Sequence, residues 1–306
     1  MVIPNTQCQD QIAIGIIHSK PTLPVVSKNA VIFIEARFKK EYGFIVKFSL
    51  REPKHWGIKM TLDKKAYAIL NRFDFEVQPV GVKFLPKSPD TVKRLTENMA
   101  LCEMLKKAQE GGAFYADKKN HTCEAGSYVL GQTDAAKPYI NGEFGAGLKI
   151  FEDTRSASRL YNYIPKIGRG IVNYVAFSRL DELSFDPDLL IFLAKTDQTE
   201  ILLRALSYRT GKMWSSKYSA AIGCAWIYIY PYLTGELNYT ITGLGHGMKR
   251  RKLFPEGQQL VSIPFDLLPS ILKALEDMPW VLPAYKPDGL VFVKKLLGKL
   301  GIDPPA

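Results

Sequence analysis

The stretch DLLIFLAKTDQTEILLRALSY, residues 188–208, decides the fold class. Its first part is apolar at successive positions, as in a strand covered on both faces rather than one. Directly after it, Ile201, Leu202, Ala205 and Leu206 recur at helical spacing. A doubly covered strand that runs straight into an amphipathic helix belongs to a mixed α/β sheet. Neighbouring segments extend the pattern. PVGVKFL (79–85) and IVNYVAF (171–177) read as further strands, and LVSIP (260–264) leads into a helix begun by Pro264 with Leu267, Leu268, Ile271, Leu272 and Leu275 inward. WIYIYPY (226–232), with its alternating aromatics, reads as a half-buried strand. Leu62, Ala66, Ile69, Leu70 and Phe73 mark an earlier helix that Thr61 can cap. Another helix is predicted from about Val92 to Gln109, ended by Gly111 and Gly112, and the residues from Phe114 to Thr122 read as loop.

The chain has 306 residues and 46% hydrophobic content, enough for a sizeable core. No repeat interrupts it, and the glycines and prolines are dispersed. The expected architecture is a single main α/β domain, a mixed sheet with helices over residues 60–306, preceded by an extension over residues 1–59. AVIFIEARF (30–38) and FIVKFSL (44–50), joined by a short polar loop, predict a β-hairpin in that extension; a start at Met60 is the alternative. The formal net charge is +11, and residues 1–59 hold nine Lys or Arg against four Asp or Glu. The later basic runs, KKAQEGGAFYADKKNH and GMKRRK, lack the aromatic interleaving of a nucleic-acid module and read as solvated surface. Neither a secretory pattern nor a span-length apolar run appears, so a cytoplasmic protein without nucleic-acid or membrane partners is expected. GLVFVKKLLGKLG near the C-terminus reads as an amphipathic helix packed on the domain rather than laid on a membrane.

Chemistry points to LCEMLKKAQEGGAFYADKKNHTCEAGSYVLGQTD, residues 101–134, where two of the four cysteines flank a Gly-Gly break. Cys102 falls at the edge of the stripe formed by Leu101, Met104, Leu105 and Ala108, and Cys123 opens a short helix or turn. Cys224 lies in AAIGCAWIYIYPY, and Cys8 stands apart. Four scattered cysteines exclude a disulfide framework. Thiolates gathered from separate elements leave no local spacing signature, so inert buried thiols are an open alternative. NGEFGAG (141–147) follows no strand and has no acidic residue at dinucleotide spacing, so it reads as a flexible loop. The acidic groups Asp181, Glu182, Asp186 and Asp188 read as surface. No Ser-His-Asp series, P-loop, HExxH or kinase set is present.

Taken in order, PVGVKF, the helical cysteine, GGAFYADKKNHTCEAGSYVLG, FDPDLLIFLAKTDQTEILLRAL, AAIGCAWIYIYPY and GLGHGMKRR before LVSIP resemble the family known as domain of unknown function 169. The resemblance covers roughly residues 62–278. It implies family cysteines at Cys102, Cys123 and Cys224, and a further one where this chain carries His246. The resemblance supplies positions without chemistry; the leading reading of these positions is an iron-sulfur cluster on the three cysteines, with His246 or a substrate at the fourth metal, acting in redox or Lewis-acid chemistry with a small-molecule substrate or redox partner. Zinc at the same residues is the second reading, since three Cys and one His form an accepted set. A thiol enzyme with His121 as base to Cys123 is a variant of it. The third reading is a binding protein whose Trp214, Trp226, Tyr228, Tyr230 and Tyr232 line an apolar pocket.

Overall fold

A computed structural model describes residues 31–39, 43–51, 62–241 and 246–303 of the chain, which divides into two units, 1–59 and 60–306. In the first unit β1 (Val31–Lys39) and β2 (Gly43–Arg51) pair antiparallel as a hairpin.

The second unit runs through α1 (Lys64–Asn71), β3 (Val80–Leu85), β4 (Lys93–Arg94), α2 (Leu101–Glu110), β5 (Phe114–Asp117), α3 (Glu124–Val129), α4 (Lys137–Ile140), α5 (Glu143–Gly147) and α6 (Thr154–Tyr163). It continues with β6 (Tyr174–Arg179), β7 (Leu189–Ala194), α7 (Thr196–Tyr208), a π-helix at Ala225–Ile229, α8 (Tyr230–Thr234), β8 (Asn238–Ile241), α9 (His246–Arg251), β9 (Gln259–Pro264), α10 (Leu268–Asp277) and α11 (Gly289–Lys299). The seven strands order as β4-β5-β6-β3-β7-β9-β8; β4 is parallel to β5 and the other neighbours are antiparallel. This is the mixed α/β sheet expected from the sequence.

Alternation within β7 explains how one sheet organises two cores. Leu189, Ile191 and Leu193 face one layer, with Val82, Phe177, α2 and the π-helix. Leu190, Phe192 and Ala194 face the other, against α1, α7 and α10. All six are buried, which is why this strand has no polar side in the sequence. Asp63, rather than Thr61, accepts the Ala66 N–H at 2.7 Å and starts α1; Thr61 lies outside the described residues.

Several local expectations give way to tertiary hydrogen bonding. The segment before Leu101 is not helical, because Leu95 N–H donates to Tyr115 and Met99 N–H to Asn120. The Asn120 amide also donates to the Leu95 and Glu97 carbonyls, so this stretch is held extended against β5. Phe114–Asp117 is correspondingly strand rather than loop. WIYIYPY is helical: Ile227, Tyr228 and Ile229 are buried in succession while Trp226, Tyr230 and Tyr232 are half-buried, a pattern that does not fit the alternation of a half-buried strand. NGEFGAG contains α5 and is not a loop.

Asp188, expected at the surface, instead brackets three strands. Its N–H donates to Val82, its carbonyl accepts from Phe265, and its carboxylate accepts the Phe84 N–H at 2.7 Å. Burial pushes this carboxyl up to about 6, with Lys83 and the Phe84 N–H opposing. A folded pKa raised above the unfolded value means that the contribution to stability is full below about 4 and is lost as pH rises through about 6. Asp188→Asn keeps an acceptor for Phe84 without the charge. Its urea-unfolding free energy should gain on the parent by roughly 3 kcal/mol between pH 4 and pH 8. Parallel pH profiles for the two proteins would refute this role.

Candidate functional site

Cys102, Cys123 and Cys224 line one cavity of about 160 Å³. Each sits at the start of a helical segment. Cys102 is the second residue of α2, Cys123 directly precedes α3, and Cys224 directly precedes the π-helix. Gly126 sits where the first two approach: a Cβ there would stand 3.1 Å from the Leu101 side chain, so any larger residue would have to push α3 and the start of α2 apart by a few tenths of an ångström. Tyr228, fully buried, donates its hydroxyl to the Leu101 carbonyl at 3.3 Å and ties the π-helix to the same point.

The opposite wall comes from the arm α4 to α6, through Tyr139, Phe144, Leu148, Ile150 and Tyr161. Tyr139 packs on Phe144 and edge-on to Tyr161, with ring centroids 4.5 and 5.7 Å apart. The arm is held by a close approach at Gly142, whose φ is +83°; a Cβ there would strike the Thr154 carbonyl at the start of α6. Gly142→Ala should therefore lower stability by roughly 1–3 kcal/mol and loosen the aromatic wall. Urea unfolding with proteolysis of the arm would check this, and parent-like behaviour in both would count against it.

Arg251 is the one charged side chain among the described residues lining the cavity. It pairs with Glu103 at 2.9 Å, while Glu103 accepts the Ala100 N–H and caps α2. GMKRRK is thus not wholly solvated surface, since Met248 and Arg251 belong to the cavity. Ile222 stands immediately before Gly223 and Cys224 with φ +54°. A β-branched residue in this conformation is strained by about 1–3 kcal/mol and is held there by its surroundings. Backbone strain next to a π-helix is a recurring mark of functional sites. None of the arm residues, Arg251 or Ile222 stands out in the sequence; the tight turn at Asn141-Gly142 is the nearest local signal.

The electrostatics oppose two influences. Helix starts favour thiolate, but burial disfavours charge more strongly. Burial pushes the Cys102 thiol up to about 11, with Cys123 adding to the shift and Arg251 opposing it. The same cause, with the other two cysteines, drives Cys224 well above the ordinary thiol range. Burial raises the Tyr228 hydroxyl well above its usual range and the Tyr139 hydroxyl to about 12. Cys102 and Cys224 are therefore protonated when free, and become thiolates only beside a compensating cation. Among the described residues, no three Cys, His, Asp or Glu groups already stand as a metal-binding cluster.

His121 does not line the cavity. Both its ring nitrogens are buried without a hydrogen-bond partner among the described residues, and burial pushes it down to about 4. It makes no hydrogen bond to Cys123, so the base-thiol relay has no geometric support. The aromatic set does not gather into one pocket either: Trp214 lies in a separate groove beside α7, and Tyr228 is interior. The backbone of His246 opens α9, but its side chain and Cys8 lie outside the described residues.

A relative is the uncharacterized protein MJ0308 of Methanocaldococcus jannaschii, 28% identical over 191 residues, which cover 61% of this chain and 81% of that protein. No solved structure matches. A family model described as DUF169, uncharacterised ArCR, matches residues 68–274, from α1 through most of α10 and including all three cavity cysteines. The chain belongs to the DUF169 family.

Proposed function

We propose that Cys102, Cys123 and Cys224 hold an iron-sulfur cluster at the wall of the cavity, and that the remaining apolar space takes a small molecule. The supporting observation is the convergence of three thiols, from elements 21 and 101 residues apart in sequence, on one cavity. Their chemistry fits: thiolate sulfur is the usual donor to such clusters, and bound iron offsets the burial that keeps free Cys102 and Cys224 protonated. When bound, the cluster supplies a redox-active or Lewis-acidic iron, with the fourth position open to His246 or to substrate. The chain's residues do the rest. Tyr139, Phe144 and Tyr161 offer flat apolar surface that orients a ligand and displaces water. Arg251, paired with Glu103, offsets part of the burial cost of a thiolate at Cys102.

Burial raises the Cys102 and Cys224 thiols, which argues against either as a metal-free nucleophile, and Cys123 has no hydrogen bond from His121 to activate it. Zinc at the same three sulfurs uses the same donors and is separated by experiment. Protein reconstituted anaerobically with ferrous iron and sulfide should take up both stoichiometrically, with broad visible absorption and a paramagnetic signal on reduction. Exclusive uptake of zinc, or of no metal, would overturn the iron-sulfur reading.

A further inference from the structure

The C-terminal helix is not packed on the domain in the manner its sequence suggests. Leu290 is 77% exposed, Leu300 61%, and Phe292 and Leu296 44% each. Among the described residues α11 packs mainly against the short turn at Pro283–Tyr285. It lies beyond the family-matched residues 68–274.

The distribution around the helix is specific. Phe292, Leu296 and Leu300 recur every four residues and form one row, with Val293 and Leu297 beside it. Lys295 and Lys299 border this apolar arc on one side and Lys294 on the other. The helix contains three lysines and no acidic residue. Eleven residues rise only about 16 Å, half the hydrocarbon thickness of a bilayer, and no helix among the described residues is long and apolar enough to cross one. A short apolar face edged by lysine on both sides suits a helix lying in the plane of an interface: the lysine stems run along the apolar surface and the ammonium groups reach toward anionic headgroups. A protein partner would need acidic groups on both flanks of an apolar groove, whereas an anionic bilayer provides that pattern at every point.

We infer that α11 is a docking helix for an anionic membrane surface, with Phe292, Leu296 and Leu300 entering the headgroup boundary and Lys294, Lys295 and Lys299 held by acidic lipid. It places the domain at the bilayer peripherally, independently of what the cysteine cavity holds.

The test is flotation of the full chain with vesicles of phosphatidylcholine alone or with one-quarter phosphatidylglycerol, at low and high salt. Binding is expected to the anionic vesicles only, and to weaken with salt. Removing lysine charge by Lys294→Gln, Lys295→Gln and Lys299→Gln should weaken it about fivefold per substitution. Leu296→Ser with Leu300→Ser should abolish it without moving the thermal midpoint, since both side chains are exposed. Absence of binding to anionic vesicles would overturn the inference. So would undiminished binding of the leucine variant, which would assign adhesion to another basic region such as residues 1–59. A concentration-dependent dimer that the leucine variant disperses, without vesicle binding, would assign the face to a second copy of the chain and equally refute it.

Discussion

Serine at Cys102, Cys123 or Cys224 is expected to reduce iron bound after anaerobic reconstitution by at least the roughly ten- to hundredfold that losing even an outer-sphere partner costs. Serine at Cys8 should leave it unchanged. The three positions differ in a way that sharpens the test. Cys224 and Cys102 are buried at 8% exposure, whereas Cys123 is half-buried. A thiol removed from the buried pair leaves a hydroxyl in an apolar wall, so those variants also lose about 1–3 kcal/mol of stability. Cys123→Ser should lose metal with little change in unfolding. That variant separates ligation from folding. If all three single variants retain the parent's iron and sulfide, the cysteines are core residues and the proposed site is wrong.

Tyr228→Ala is expected to destabilise the protein by about 3–5 kcal/mol, the cost of deleting a large buried aromatic side chain. Tyr228 is fully buried, packs edge-on against Phe177 of β6 with ring centroids 6.3 Å apart, and holds the Leu101 carbonyl. It joins the sheet, the start of α2 and the π-helix beneath Cys102 and Cys224. Tyr228→Phe keeps the ring and should cost only about 1 kcal/mol, the usual net worth of a hydrogen bond. Urea denaturation of the two variants decides the point. A loss below about 1 kcal/mol for the alanine variant would mean that the surrounding structure does not depend on this side chain.

The elements legible in the sequence were those whose pattern needs no partner to interpret. DLLIFLA could be recognised because burial on both faces removes polar residues from a strand wherever its neighbours lie. Local helical spacing served equally well for α1, α7 and α10. It failed for the residues before Leu101, where apolar positions satisfy an extended chain whose hydrogen bonds run to Tyr115 and Asn120. It also failed for WIYIYPY, since an aromatic alternation and a largely buried helix are both apolar, and only packing tells them apart.

The cysteines illustrate the same division at the site. Their identity and the family resemblance were present in the chain, and family membership over residues 68–274 is established from sequence alone. That three residues separated by 21 and 101 positions line one cavity is a product of the sheet, because Cys102, Cys123 and Cys224 sit on helix starts brought to one face through contacts far apart in sequence. The aromatic arm, Arg251 and strained Ile222 acquire meaning only there. A cavity is made by what surrounds it, so residues that are ordinary in sequence become its walls once the backbone closes. Composition and periodicity determined which surfaces must be buried; tertiary structure decided which buried surfaces meet, because long-range hydrogen bonding and packing select among locally equivalent conformations.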